Sequence, residues 1–461
     1  MDVEHREIHE QTLSIFLDKL STVTTMLKRL HKPQVDGYGP KPNRMMYVIK
    51  KEGLDKAIDE MILWQTTSDQ SWFLLMRMAD SKVDSVLEAC DSDASSSTAV
   101  SIRSAVTIRA GLRSENIPTD NFKSPSGLTL SSAALDSMQI SAIPFCEGML
   151  IARRAFSNGR TATYILNRIQ CQTTSREDIL GNSARDLVRK LQHEEPHTFG
   201  LLHCKGCILP SSTSPADITL VFRNPPDSSQ PRSLRDILIT TPSLSLSQRF
   251  RIAKDLAKSV GYVHTFGFVH KNVRPESVIV FETRSGKELS GFLAGFEEFR
   301  RDEGWTRRRG DDAPTKNLYR HPSRQGINPE EDYAMQHDIY SLGVCLLEIG
   351  LWGSFVNYSN SPSQAVPELG PLLDLPPTIV VSQASAFLLQ DGKSHLLSLA
   401  QEQLPARMGD QYTEIVQTCL TCLDPDNADF GDQKEFQDED GIRVGARYIE
   451  KVLLRLNAIN V

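Results

Sequence analysis

The stretch from Tyr262 to Val280 constrains this chain more than any other. Tyr262-Val263-His264-Thr265-Phe266 closes an amphipathic helix, Gly267 turns the chain, His270 to Ser277 forms a polar loop, and Val278-Ile279-Val280 continues as an apolar strand. A second strong signal follows in Asp338-Ile339-Tyr340-Ser341-Leu342-Gly343-Val344-Cys345-Leu346-Leu347-Glu348, an apolar helical run opened by an acid. An acid at that place can cap its own helix.

The 461 residues exceed one ordinary core and predict two domains with a linker. A net charge of -7 excludes a general attraction to nucleic acid or to anionic membranes. The 8 cysteines are scattered and the amino end lacks an apolar signal core, so the expected compartment is the reducing cytoplasm. Two Cys-x-x-Cys pairs occur, Cys204/Cys207 and Cys419/Cys422. The first has histidines nearby but strand-like flanks and no second pair at finger spacing, which argues against zinc, and the second lies in an apolar helical pattern and is expected in the core.

Apolar residues recur at helical spacing from Ile8 to Leu30, from Val48 to Trp64 and from Trp72 to Leu87, which predicts a small helical bundle over residues 1–90. Ser, Ala, Thr, Gly and Asp dominate 91–138, which is expected to be a largely disordered linker. Strand signals begin near Ile140, and Asn158-Gly159 between Met149–Ala152 and Thr163–Leu166 predicts a hairpin. A helix over 178–191 and two further strands, ending in Ile218 to Phe222, complete a β-rich segment; the chain after Leu234 is mainly helical.

This order, with its polar loop, resembles the protein kinases. The resemblance covers about 141–461 and implies an α+β, bilobal kinase-like fold over 139–461, with a small lobe at about 139–226 and a large lobe at about 227–461. His270, Pro275, Phe296, Pro322, Asp338 and Gly343 match positions that maintain the family's shape. The positions that carry its chemistry do not match. The family loop reads His-Arg-Asp-Leu-x-x-x-Asn, its Asp accepting the substrate hydroxyl proton and its Asn holding magnesium. Here those positions are Asn272 and Ser277, and Arg274 replaces a lysine. Gly295-Phe296-Glu297 stands on Asp-Phe-Gly, so the second metal ligand is glycine. Asn167 falls at the strand lysine, other registers remaining open, and Gly148 is what remains of the phosphate-cradling glycines.

No catalytic residue and no resident metal are therefore expected. Glu297 and Glu298 are the carboxylates that could substitute at a magnesium site. ATP is left with a hinge at Phe222, Arg223 and Asn224. The reading is a pseudokinase acting as a signalling or interaction module with protein partners; the alternatives are an unconventional protein kinase and a nucleotide-binding switch. Lys50 to Ala57, Trp64-Gln65 and Ser71 to Leu74 resemble the later helices of fungal HeLo-type domains, which often precede kinase-like domains in cell-death and prion-linked proteins. That resemblance implies a fragment of the domain, with membrane association only where a HeLo-type function is retained.

Overall fold

The computed structural model describes helical positions within 21–109 and residues 128–157, 159–170, 177–192, 195–209, 217–283, 286, 288–296, 300–301, 311–358, 366–376, 379, 383–431 and 442–460. The chain divides into two compact units, Met1–Val83 and Asp84–Val461. In the first, helical positions bury Leu54, Phe73, Leu74 and Met76. Most of the expected bundle, including Trp64, Gln65 and Ser71 of the HeLo-type resemblance, lies outside the described residues.

The second unit mixes helices with antiparallel sheets. Helix α1, Lys82–Asp93, enters the segment expected to be linker, and Asp84 on it forms a buried ion pair with Arg109. Residues 128–138 depart further from that expectation. Leu128 O accepts from Cys207 N and Leu130 N donates to Cys207 O, each at 2.8 Å, and a short helix follows at Ala133–Asp136 (α2). Leu130, Leu135 and Met138 then cover Ala152, Leu166, Ile208 and Val221. These apolar residues are sparse, which hides them from a compositional reading, but they meet an exposed sheet face whose burial stabilises the contact.

That sheet has five strands in the order β1-β2-β3-β5-β4, all antiparallel: β1 Gln139–Ala142, β2 Met149–Ala155, β3 Thr161–Gln170, β4 Cys204–Ile208 and β5 Asp217–Arg223. The β2–β3 hairpin turns at Gly159, whose φ of 76° suits a residue without Cβ. Helix α3, Glu177–Lys190, lies between β3 and β4. Lys190 on α3 is fully buried, donates to Phe266 O at 2.7 Å and lies 3.4 Å from Asp186. Cys204 and Cys207 are buried in β4, where burial pushes the Cys204 thiol up to about 12. Among the described residues no group of three metal-ligating side chains is gathered, and none of the described helices is long and apolar enough to cross a membrane.

After β5 come β6 (Arg232–Ser233), α4 (Leu234–Thr240), α5 (Leu246–Thr265), β7 (Phe268–Val269), β8 (Val278–Glu282) and β9 (Leu289–Leu293). Ser245 caps α5 by accepting from Gln248 N. Helix α6, Met335–Leu351, is buried at every residue from His337 to Leu351. Its apolar residues point to every side because other elements surround it. One of these is α7, Asp410–Leu420: a Cβ on Gly343 would lie 2.9 Å from Cys419 Cβ, and Tyr412 donates to Leu346 O at 2.7 Å.

Candidate functional site

The polar loop between β7 and β8 is held from beneath by α6. Asp338, in the first turn of that helix and fully buried, accepts from His270 N at 2.7 Å, Lys271 N at 2.9 Å and Tyr333 OH at 2.6 Å. His264 Nε2 lies 3.1 Å from the same carboxylate. Burial alone would raise the Asp338 pKa, but the contacts with His264, His270 and Tyr333 bring it below the usual range. The acid thus reaches the loop instead of only its own helix, and it holds Lys271 at a φ of 63°.

His270 is buried and its ring is fixed on both sides. Its Nε2 lies 2.9 Å from Ala294 O, a pure acceptor, so this nitrogen carries the hydrogen; Nδ1 accepts from Asn272 N at 3.3 Å. Burial, opposed by the nearby Asp338 charge, lowers its pKa to about 4. The ring stands 4.7 Å from that of Phe296, which stacks at 6.3 Å on Phe222. Pro275 opens the one-turn helix Pro275–Ser277, and Pro322 opens another at Pro322–Arg324.

The positions that the kinase resemblance sets against the family's chemical residues meet one another. Asn272 Nδ2 donates to Gly295 O at 2.9 Å. Gly295 has a φ of 72°, and a Cβ there would lie 2.8 Å from Ser277 Cβ and 3.5 Å from Asn272 Nδ2. Ser277 Oγ is turned back on its own loop, donating to Arg274 O at 2.8 Å and accepting from Arg274 N at 3.1 Å. Arg274 is itself buried. Asn167, fully buried on β3, accepts from Phe296 N at 2.7 Å, while its neighbour Arg168 is exposed as strand alternation requires. Asn167, Asn272, Ser277 and Gly295 therefore form one contiguous patch. The side chains of this patch include no carboxylate and no amine. Glu297, Glu298 and the basic segment 304–310 lie outside the described residues.

The hinge segment is short of donors. Arg223 N gives its hydrogen to His203 O at 2.9 Å and Asn224 N gives its hydrogen to Thr163 O at 3.4 Å. Pro225 and Pro226 have no N–H. Phe222 is buried in β5, Arg223 points to solvent, and the Asn224 side chain donates to Ser228 Oγ at 2.8 Å. A base read through backbone N–H groups finds none unpaired between 223 and 226.

One feature of the site escapes sequence reasoning. Arg235 on α4 is fully buried and bonds Glu276 at 3.1 Å, Glu348 at 2.6 Å, Ser354 Oγ at 2.6 Å and the Tyr319 hydroxyl. Burial raises the Glu348 pKa even with Arg235 beside it; Glu276, also buried, is brought below its ordinary value by Arg235 and Arg274. The available signal was Glu348 itself, a lone acid in an apolar helical run.

No protein-family model matches the chain. Part of it is 31% identical to rat eukaryotic translation initiation factor 2-alpha kinase 1 over 117 residues, which is 23% of this chain and 18% of that protein. Mouse serine/threonine-protein kinase Kist is 25% identical over 97 residues, 21% of this chain and 23% of Kist. Human Kist matches to the same extent. The chain carries a protein-kinase-like region. The match spans about a fifth of each relative's length.

Proposed function

We propose that residues 139–461 form a kinase-like module of bilobal design that does not transfer phosphate and serves signalling through protein contacts in the cytoplasm. The observation that carries this reading is the bond from Asn272 Nδ2 to Gly295 O beside a Gly295 with no room for a Cβ. The positions that would hold a base and two metal ligands are packed against one another instead. The paired hinge N–H groups and the prolines at 225 and 226 argue in the same direction for the nucleotide. On its resemblance to HeLo-type bundles, the segment 1–90 is assigned to partner recognition.

The test is a thermal-shift titration of the full chain with ATP, with and without magnesium, alongside transfer from γ-labelled ATP. A ligand that binds the native state raises its melting temperature. The expected result is no shift and no transfer. A magnesium-dependent shift with transfer overturns the reading in favour of an unconventional kinase, and a shift without transfer replaces it with a nucleotide-binding switch.

A further inference from the structure

The loop between β1 and β2, residues 143–148, stands where the kinase resemblance places a phosphate cradle. It is folded against other parts of its own unit through four consecutive residues. Pro144 O accepts from Ser233 Oγ at 2.8 Å, just ahead of α4. The Phe145 ring lies 4.5 Å from that of Tyr358, in the strand Val356–Tyr358 that follows α6. Cys146 donates through Sγ to Glu276 O at 2.8 Å, in the polar loop. Glu147 pairs with Lys316 at 3.7 Å, although it is largely exposed and contributes little. Tyr358 closes the circuit by donating to Glu276 Oε1 at 3.1 Å.

Phe145 has a φ of 58°. A bulky residue in the left-handed region is unfavourable and persists where surrounding contacts fix it. Here the fixing contacts come from segments far away in sequence, so the strain is coupled to the approach of the sheet to the helical part. A cradle for phosphates needs free backbone amides facing outward. In this loop Cys146 N is bonded to Ile143 O at 3.2 Å.

We propose that residues 144–146 act as a built-in ligand, clamping the five-stranded sheet to Ser233, Glu276 and Tyr358 in the place a nucleotide would take. The inference rests on the non-catalytic reading above and adds how such a module keeps its parts together without ATP. Tyr358 and Glu276 form the receptor, Phe145 supplies the ring and Cys146 the polar anchor.

Hydrogen exchange on the full chain tests it. In Phe145→Gly/Cys146→Ala the glycine relieves the backbone strain while the ring and thiol are lost. Amides of 233–236, 276–278 and 356–358 are expected to exchange about tenfold faster, with the β2–β3 hairpin unchanged. Tyr358→Ala, which leaves the loop sequence intact, is expected to release 143–148 in turn and covers the case where the double variant fails to fold. Unchanged exchange at 233–236 and 276–278 in the double variant, or of 143–148 in Tyr358→Ala, overturns the clamp and leaves the non-catalytic reading standing. ATP binding by the wild-type chain without transfer and without faster exchange of 143–148 also overturns the clamp, because the loop would then not occupy the nucleotide's place. Phosphate transfer overturns the underlying reading instead.

Discussion

Gly295 is packed against Ser277 so closely that a Cβ on the glycine would lie 2.8 Å from the serine Cβ. Two positions that the kinase resemblance aligns with the family's magnesium ligands thus support each other here by being small. Restoring one alone is a steric error. Gly295→Asp adds a side chain at a φ of 72°, which costs about 1–2 kcal/mol, and overlap with Ser277 adds about 1–3 kcal/mol. Urea denaturation is expected to show that loss, with Gly295→Ala close behind it, and neither variant is expected to transfer phosphate. Equal stability of Gly295→Ala and wild type would contradict the packing.

Asn272 is more than an aspartate without its charge. Its amide donates to Gly295 O, and a carboxylate in the same place would set one acceptor against another at 2.9 Å. Asn272→Asp is therefore expected to lose about 1–3 kcal/mol of stability and to gain no turnover. A more stable variant, or one with measurable transfer from γ-labelled ATP, would show that the loop still has room for the lost chemistry.

The sequence made the loop legible because shape and chemistry were written in different residues. His270 meets Asp338 and Phe296, and these contacts follow from a helix, a turn and a strand in fixed order. The expected hairpin formed because Gly159 accepts positive φ whatever its surroundings. Residues 128–138 were illegible because their few apolar side chains acquire meaning only against a sheet face assembled from distant strands. The Arg235 network was hidden for a related reason: its carboxylates come from Glu276 and Glu348, and spacing along a chain carries no sign of such a meeting.

Acid sensitivity should arise at His270. Unfolded histidine titrates near 6.5, whereas His270 in the fold titrates at about 4, and His321, also lowered by burial and by nearby His337, at about 3. Between these values the unfolded chain binds more protons, so stability falls as pH drops below about 6.5 and this loss ends near the folded values. Asp338 acts in a lower window, its contribution being lost as pH falls through its own depressed value. At pH ~5 His270 alone accounts for about 2 kcal/mol relative to neutral pH. Denaturation midpoints of wild type and His270→Gln at pH 7, 6 and 5 should diverge, the variant having the shallower dependence. Parallel curves would remove His270 as the cause.

Arg235 is the charge whose loss the fold should tolerate least. It is fully buried between two acids, and Glu348 also accepts from Tyr319 OH at 2.7 Å and from Phe355 N at 2.7 Å. Arg235→Met keeps much of the side chain's length but leaves Glu276 and Glu348 facing each other's charge in the interior. Breaking a buried pair in this way costs about 3–5 kcal/mol, whereas removing all its charges together is often nearly neutral. Arg235→Lys should fall between, because a single ammonium cannot reproduce a planar fork that serves Glu276 and Glu348 at once. Denaturation of Arg235→Met, Arg235→Lys and the triple variant Arg235→Met/Glu276→Gln/Glu348→Gln separates lost packing from stranded charge. Recovery of most of the loss in the triple variant identifies stranded charge, and a triple variant as unstable as Arg235→Met alone assigns the cost to the fork's hydrogen bonds with Ser354 and Tyr319.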